Sequence, residues 1–194
     1  MGDPKRLDRK YDVPRIKWNK QKIKVERDIS DDYGLRRKKE LWKADTEVRS
    51  YRKRARLLLA GRVDDYSTRK DELLNRLIHM GIFTKEHKIE DVLKLNLTDY
   101  LDRRLQTLVF KKGLALTPNQ ARQLITHGHI AINGKVRKTP GSIVYEGESI
   151  SYNKTQIKDM VEKMTEKKGK PVSKDSKKTI IKEEPVKENV ESEK

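Results

Sequence analysis

Apolar residues recur every three or four positions through residues 35–60. Leu41, Ala44, Val48, Tyr51, Ala55 and Leu58 would share one stripe of a long helix whose other faces are charged. After a turn at Gly61 to Tyr66, Ser67-Thr68 stands where an N-cap would start a second helix carrying Leu73, Leu74, Leu77 and Ile78. Gly81 would follow it as the C′ residue. Ile89–Leu95 reads as a further short helix. These pieces predict that residues 1–97 comprise a basic N-terminal arm and a helical domain.

The pattern changes over residues 98–155. Thr98 is placed to cap a helix with Leu101, Leu105, Leu108 and Val109 on its inner face, ended by Gly113. Thr117-Pro118-Asn119-Gln120 then carries the marks of a helix start: Thr at the N-cap, Pro at N1 and Gln at N3 as a capping box. That helix would bury Ala121, Leu124 and Ile125 and stop at Gly128. Next, Ile130 and Ile132 precede Asn133-Gly134, the strongest short hairpin signal a sequence contains. Ile143, Val144, Ile150 and Tyr152 promise further strand, interrupted by a turn at Glu146-Gly147-Glu148. The predicted fold class is therefore α+β and mostly helical, with a small αα-β unit built on a short antiparallel sheet.

Both ends lack this order. Residues 1–30 hold Pro4, Pro14 and many charges, and two readings stand: a disordered terminus, or an extended arm that follows a partner. Tyr11 and Trp18, set among cations, favour the arm, because aromatic rings can stack on bases. Residues 156–194 alternate Lys and Glu with Ser and Pro and have no aromatic after Tyr152. Such a tail cannot bury enough surface to offset its ordering entropy, so disorder is expected there beyond Ile157–Met164.

Charge narrows the function. Lys and Arg number 47 against 30 Asp and Glu, a net charge of +17 that calls for a polyanionic partner. Nucleic acid is the leading candidate, because each contacted phosphate releases counterions. No apolar run approaches the length of a membrane span, and the first residues carry no secretory pattern, so a cytoplasmic protein without a membrane partner is the expectation. Cysteine is absent, which removes thiolate chemistry and thiolate metal ligands.

The cations are not spread evenly. Arg49, Arg52, Lys53, Arg54 and Arg56 form a block of the long helix with no acid inside it, unlike a solvated face that mixes signs. In the αα-β unit, burying the apolar stripes leaves Arg103, Arg104, Arg122, Gln123 and His127 outward on the helices. His129, Lys135, Arg137 and Lys138 follow on the hairpin. Forked and flexible donors on one small surface suit phosphates held at fixed geometry in folded RNA, with Arg104, Arg122, His129 and Lys135 the leading contacts. His127 reads equally well as a helix-end cap.

Leu101-Asp102-Arg103-Arg104-Leu105, Gln120-Ala121-Arg122-Gln123-Leu124-Ile125, His127-Gly128-His129-Ile130 and Ile132-Asn133-Gly134-Lys135-Val136 together resemble the RNA-binding domain named after the fourth small-subunit ribosomal protein. Lys10-Tyr11-Asp12-Val13-Pro14 and the run from Tyr33 to Trp42 extend the resemblance to that ribosomal family in its archaeal and eukaryotic form, over roughly residues 3–155. The resemblance implies a primary binder of small-subunit rRNA (16S type) that nucleates assembly of the subunit body, with the helical domain within residues 1–97 also binding rRNA. It also implies a place near the point where mRNA enters, contact with the fifth small-subunit protein and with mRNA, and an influence on decoding accuracy. Many bacterial relatives carry a cysteine zinc site; with no cysteine here, no metal or other cofactor is carried over.

Other chemistries fare worse. His127 and His129 have no third ligand near them for a zinc site. Asp31-Asp32 and Asp64-Asp65 sit beside turn signals and read as turn chemistry rather than paired catalytic carboxylates. No Ser-His-Asp order or Gly-rich phosphate loop is present, so the expectation is no enzyme and no small-molecule substrate. The alternative is an RNA-targeting subunit or fragment of an RNA-modifying enzyme, which predicts turnover. A non-specific DNA-compacting protein would leave the helix-hairpin unit unexplained.

Overall fold

The computed structural model describes residues 9–16, 18–61, 65–84 and 86–153. Part of the expected Gly61–Tyr66 turn, and the whole of the tail expected from 156 with its helical stretch Ile157–Met164, lie outside them. Six α-helices come first: α1 (Lys20–Asp32), α2 (Lys38–Leu59), α3 (Tyr66–His79), α4 (Leu97–Asp102), α5 (Leu105–Lys111) and α6 (Pro118–Thr126), with a 3₁₀ segment at Ile89–Lys94. Strands β1 (Ile130–Ile132), β2 (Lys135–Val136) and β3 (Ile150–Tyr152) follow, in the antiparallel order β2-β1-β3. This is the mostly helical α+β architecture that the residue patterns predict.

α2 is the axis of the N-terminal half. Its buried residues are Leu41, Ala44, Val48, Tyr51, Ala55 and Leu58, the whole of the stripe read from spacing. Val48, Tyr51, Ala55 and Leu58 pack with Leu73 and Leu77 of α3 and with Ile89, Val92 and Leu95 of the 3₁₀ segment. Each such side chain removed from water contributes about 1.5–3 kcal/mol, which holds together a helix otherwise covered in charge. Leu41 and Ala44 instead meet Leu101 of α4, so α2 also touches the C-terminal half.

Three local expectations are corrected. Residues 20–30 are not part of an extended arm: they lie in α1, whose N-cap Asn19 accepts from the Lys22 N–H at 3.2 Å. Of the chain before them, Asp12 lies against α2, its N–H donating to Thr46 Oγ1 at 3.0 Å. α3 starts at Tyr66 with Asp65 as N-cap, ahead of Ser67-Thr68, while Gly81 ends it at positive φ as expected.

The third correction bears on the site. In place of one helix capped by Thr98, the chain forms α4, capped by Asn96, and α5, with a break at Arg103-Arg104. The break has a backbone cause. Val144 N–H donates to Arg103 O at 3.1 Å, Leu105 N–H to Ser142 O at 2.8 Å, and Arg104 bridges Ile143. Ile143-Val144 thus pairs with the break instead of joining the sheet.

The rest of the αα-β unit follows its sequence signals. Thr117 Oγ1 accepts from the Gln120 N–H at 3.2 Å with Pro118 at N1, although Gln120 reaches back to the Leu116 N–H (2.8 Å) and not to the N-cap itself. Asn133 and Gly134 both take positive φ, 48° and 77°, as a two-residue type I′ turn requires. Asn133 also accepts from the Ser149 N–H at 2.8 Å, which ties the hairpin to the run into β3.

Gly34, between α1 and α2, is buried at φ +59°, and a Cβ there would stand 2.8 Å from Pro118 Cβ and 2.9 Å from Gln106 Nε2. Both the backbone conformation and the close approach require glycine. Gly34→Ala is therefore expected to lower stability by about 2 kcal/mol or more, read as a depressed thermal midpoint by circular dichroism. An unchanged midpoint would mean that this junction can open without cost.

Candidate nucleic-acid interface

Two of the leading outward residues point inward. Arg104 is only 5% exposed, and its Nη2 donates to Glu40 Oε2 at 2.8 Å. Arg122, from α6, grips the same carboxylate with both terminal nitrogens: Nη2 to Oε1 at 2.8 Å and Nη1 to Oε2 at 3.1 Å. Glu40 sits in the first turn of α2, where the helix dipole also favours a negative charge. Burial opposes ionisation of its carboxyl, but the hydrogen bonds from Arg122 and Arg104 outweigh that penalty and hold it below its ordinary value.

Gln106 completes this clamp. It is 1% exposed, and its amide donates to the carbonyls of Gly34 (2.9 Å) and Pro118 (3.0 Å), bridging the α1–α2 turn to the start of α6. Nearby, the Tyr33 hydroxyl donates to Asp102 Oδ1 at 2.9 Å; burial, reinforced by that carboxylate, pushes the phenol's pKa up. Arg103 also turns inward. Its Nε donates to Met80 O at 2.6 Å, and its guanidinium lies where a Cβ on Gly81 would be. For Arg103 and Arg104 the physical reason is the helix break; Arg122, on α6, is drawn inward by the Glu40 carboxylate. An extended residue at Arg104 sends the neighbouring side chains to opposite sides, one to Met80 and one to Glu40. Sequence spacing showed neither the break nor the role of Glu40, a single acid beside the basic run Arg36-Arg37-Lys38-Lys39.

The remaining residues of the αα-β unit stay at the surface, and three of them flank the turn from α6 into β1. His127 and Gly128 turn the chain from α6 into β1, and the His127 and His129 rings lie nearly parallel (9°) with centroids 6.0 Å apart. A Cβ on Gly128 would stand 3.3 Å from Val136 Cγ1 and 3.4 Å from Lys138 Cε, so the Lys138 stem crosses this turn. The Arg137 N–H donates to Ile130 O at 3.2 Å, and the Asn153 N–H to His129 O at 2.8 Å, which fixes the backbone beneath. Gln123, His127, Lys135, Arg137 and Lys138 are exposed and His129 half-buried. Lys135, Arg137 and Lys138 pair with no carboxylate among the described residues. Exposed cations thus stand beside two near-parallel imidazoles, the chemistry that an anion-binding surface needs.

On α2, Lys53, Arg54 and Arg56 are exposed and Arg52 half-exposed, while Arg49 pairs with Asp45 at 2.7 Å, an acid one turn before the cationic block. The aromatic pair of the arm divides. Tyr11 packs against Trp42, ring centroids 6.1 Å apart, so the protein itself already covers part of that ring. Trp18 is 88% exposed. Among the described residues no three His, Asp or Glu side chains gather as a metal site, and no helix is long and apolar enough to cross a membrane.

Two helices, a buried hinge and a hairpin ringed by unpaired cations define a known class of module: the family model of the S4 domain matches residues 103–150. Curated relatives extend the likeness over most of the chain. Small ribosomal subunit protein uS4 of Methanococcus aeolicus is 48% identical over 155 residues, 78% of this chain and 88% of its own. The uS4 proteins of Methanothermobacter thermautotrophicus and Sulfurisphaera tokodaii are 47% and 49% identical, over 76% of this chain and 86% and 84% of theirs. The chain belongs to the family of small ribosomal subunit protein uS4. These relatives are structural ribosomal proteins, so the reading as an RNA-modifying enzyme fragment falls away.

Removing Glu40 leaves a buried guanidinium, whose Nε already lacks a partner, without its counter-charge. Glu40→Ala should cost about 3 kcal/mol in chemical denaturation at neutral pH. Because the folded carboxyl titrates below its ordinary value of 4.5, its contribution is complete above that value and drains away as pH falls through the folded pKa. The gap between wild type and Glu40→Ala should therefore narrow below about pH 4.5. A gap that does not depend on pH would show that the carboxylate's charge is irrelevant.

Proposed function

We propose that this protein is a primary rRNA-binding component of the small ribosomal subunit, acting in the cytoplasm to nucleate assembly of the subunit body. The observation that carries this reading is the unpaired cationic surface of His127, His129, Lys135, Arg137 and Lys138 over a rigid turn. Phosphates in a folded RNA junction are held at set distances, and donors fixed by a hairpin match such a shape without reading base edges. Gln123 borders this surface. The exposed α2 cations Lys53, Arg54 and Arg56, with Arg52, give a second contact region on the N-terminal half.

Within this reading Arg103, Arg104 and Arg122 act mainly by setting the angle between the two halves, so that both cationic surfaces meet one RNA. Trp18 is available to stack on a base, and Tyr11 supports the arm through Trp42. The fifth small-subunit protein and mRNA near its point of entry are the proposed further neighbours, and decoding accuracy the proposed consequence.

Co-sedimentation tests the assignment. In a magnesium-containing sucrose gradient the protein should migrate with the small subunit and stay there after a high-salt wash, whereas recovery at the top of the gradient would refute a structural role. The triple variant Lys135→Ala/Arg137→Ala/Lys138→Ala should bind small-subunit rRNA more weakly, with a salt dependence flattened by up to about three phosphate contacts, and keep its far-UV CD spectrum. Unchanged affinity would remove the hairpin from the interface.

A further inference from the structure

The cleft between α2 and α3 is not accounted for by the hairpin surface. It encloses about 250 Å³ and lies near the C-terminal end of α2, whereas the Glu40 clamp is at the N-terminal end. Leu57, 39% exposed, and Leu73 give it an apolar floor. Arg54 from one helix and Arg69 and Arg76 from the other stand around it, with Glu72 the one acid in the lining. Arg54 and Arg76 are held in place: their guanidiniums lie 5.5 and 6.0 Å from the centroid of the buried Tyr51 ring, and Arg54 donates to Ser50 Oγ at 2.9 Å. None of the three arginines pairs with a carboxylate among the described residues.

We propose that this cleft receives a single unstacked nucleotide of the bound RNA. The inference rests on the rRNA-binding reading above and names a subsite within it. The volume falls below the few hundred Å³ typical of small-molecule pockets, but it suits one planar ring inserted between two helices. The leucine floor takes the apolar face of a base. Guanidinium planes offer stacking partners and, through their outer N–H groups, donors for the flanking phosphates. Three arginines against one glutamate select a polyanion, and an apolar floor rewards a base that has left its stack. A duplex backbone alone would use the charges and leave Leu57 in water. Arg69, Arg76, Leu57 and Leu73 thereby join Arg54 in contact with RNA, and the subsite reads an unpaired position where the hairpin reads shape.

The test is chemical footprinting of small-subunit rRNA, transcribed in full, with the complete chain and with two variants. Leu57→Asp puts a charge on a half-exposed position and leaves the core intact; Arg69→Gln/Arg76→Gln removes the stacking planes. Thermal melts confirm that each variant is folded. Wild type should protect one unpaired nucleotide whose protection both variants lose, the remaining footprint persisting at higher protein concentration. Affinity should fall about fivefold to a hundredfold, the range for losing one stacked base. A footprint and affinity unchanged in both variants would overturn the subsite while leaving rRNA binding by the hairpin in place. Unchanged footprints together with loss of a neighbouring protein from reconstituted particles would assign the cleft to an acidic protein segment, and would equally overturn it. Failure of the wild type to bind rRNA at all would sink the functional reading along with the subsite.

Discussion

The structure turns on one carboxylate. Glu40 receives Arg104 from the start of α5 and Arg122 from α6, at 2.8 Å each, and so joins the helical half to the αα-β unit. A buried ion pair of this kind adds little net stability over an apolar contact, because the desolvation of three charges must be recovered first. What it supplies is direction. A leucine-filled boundary would tolerate small rotations, whereas a bidentate guanidinium–carboxylate contact holds only over a narrow range of angles. Gln106 beside it has the same character, since it cannot move without stranding its amide, and Gly34 allows the close approach to Pro118 that any Cβ would block.

Such rigidity suits the proposed recognition of RNA shape. The cations of α2 and those of the hairpin lie on separate halves, and a folded RNA offers phosphates at set distances. If the halves could rotate freely, closing the second contact would cost the orientational entropy that the clamp has already removed. The arginines thus divide into two kinds. Arg103, Arg104 and Arg122 are spent inside the protein to set geometry, while Lys135, Arg137, Lys138 and the outer residues of α2 stay free for a partner.

Much of this was legible in the sequence. The α2 stripe, the Thr117-Pro118 helix start and the Asn133-Gly134 turn rest on interactions among residues a few positions apart, so local spacing carries them. Tyr51 belongs to that stripe and is buried, as its spacing predicts. The failures share a cause as well. Arg104 and Thr98 were placed on one unbroken helix because the break is made by Ser142 and Val144, some forty residues downstream. The local pattern around Tyr11 offers it for stacking on a base and cannot show its contact with Trp42, which is far along the chain.

By itself, then, the sequence determined most of the elements, the apolar faces, a cationic excess that calls for a polyanion and the resemblance to the RNA-binding module, all of which depend on residue chemistry and short-range periodicity. Which arginines meet RNA and which are sealed within was decided only by tertiary structure. An arginine carries the same charge in either place. Its role is fixed by whether a carboxylate from a distant helix arrives within hydrogen-bonding reach, and nothing in the local pattern around Arg104 or Arg122 records that Glu40 does.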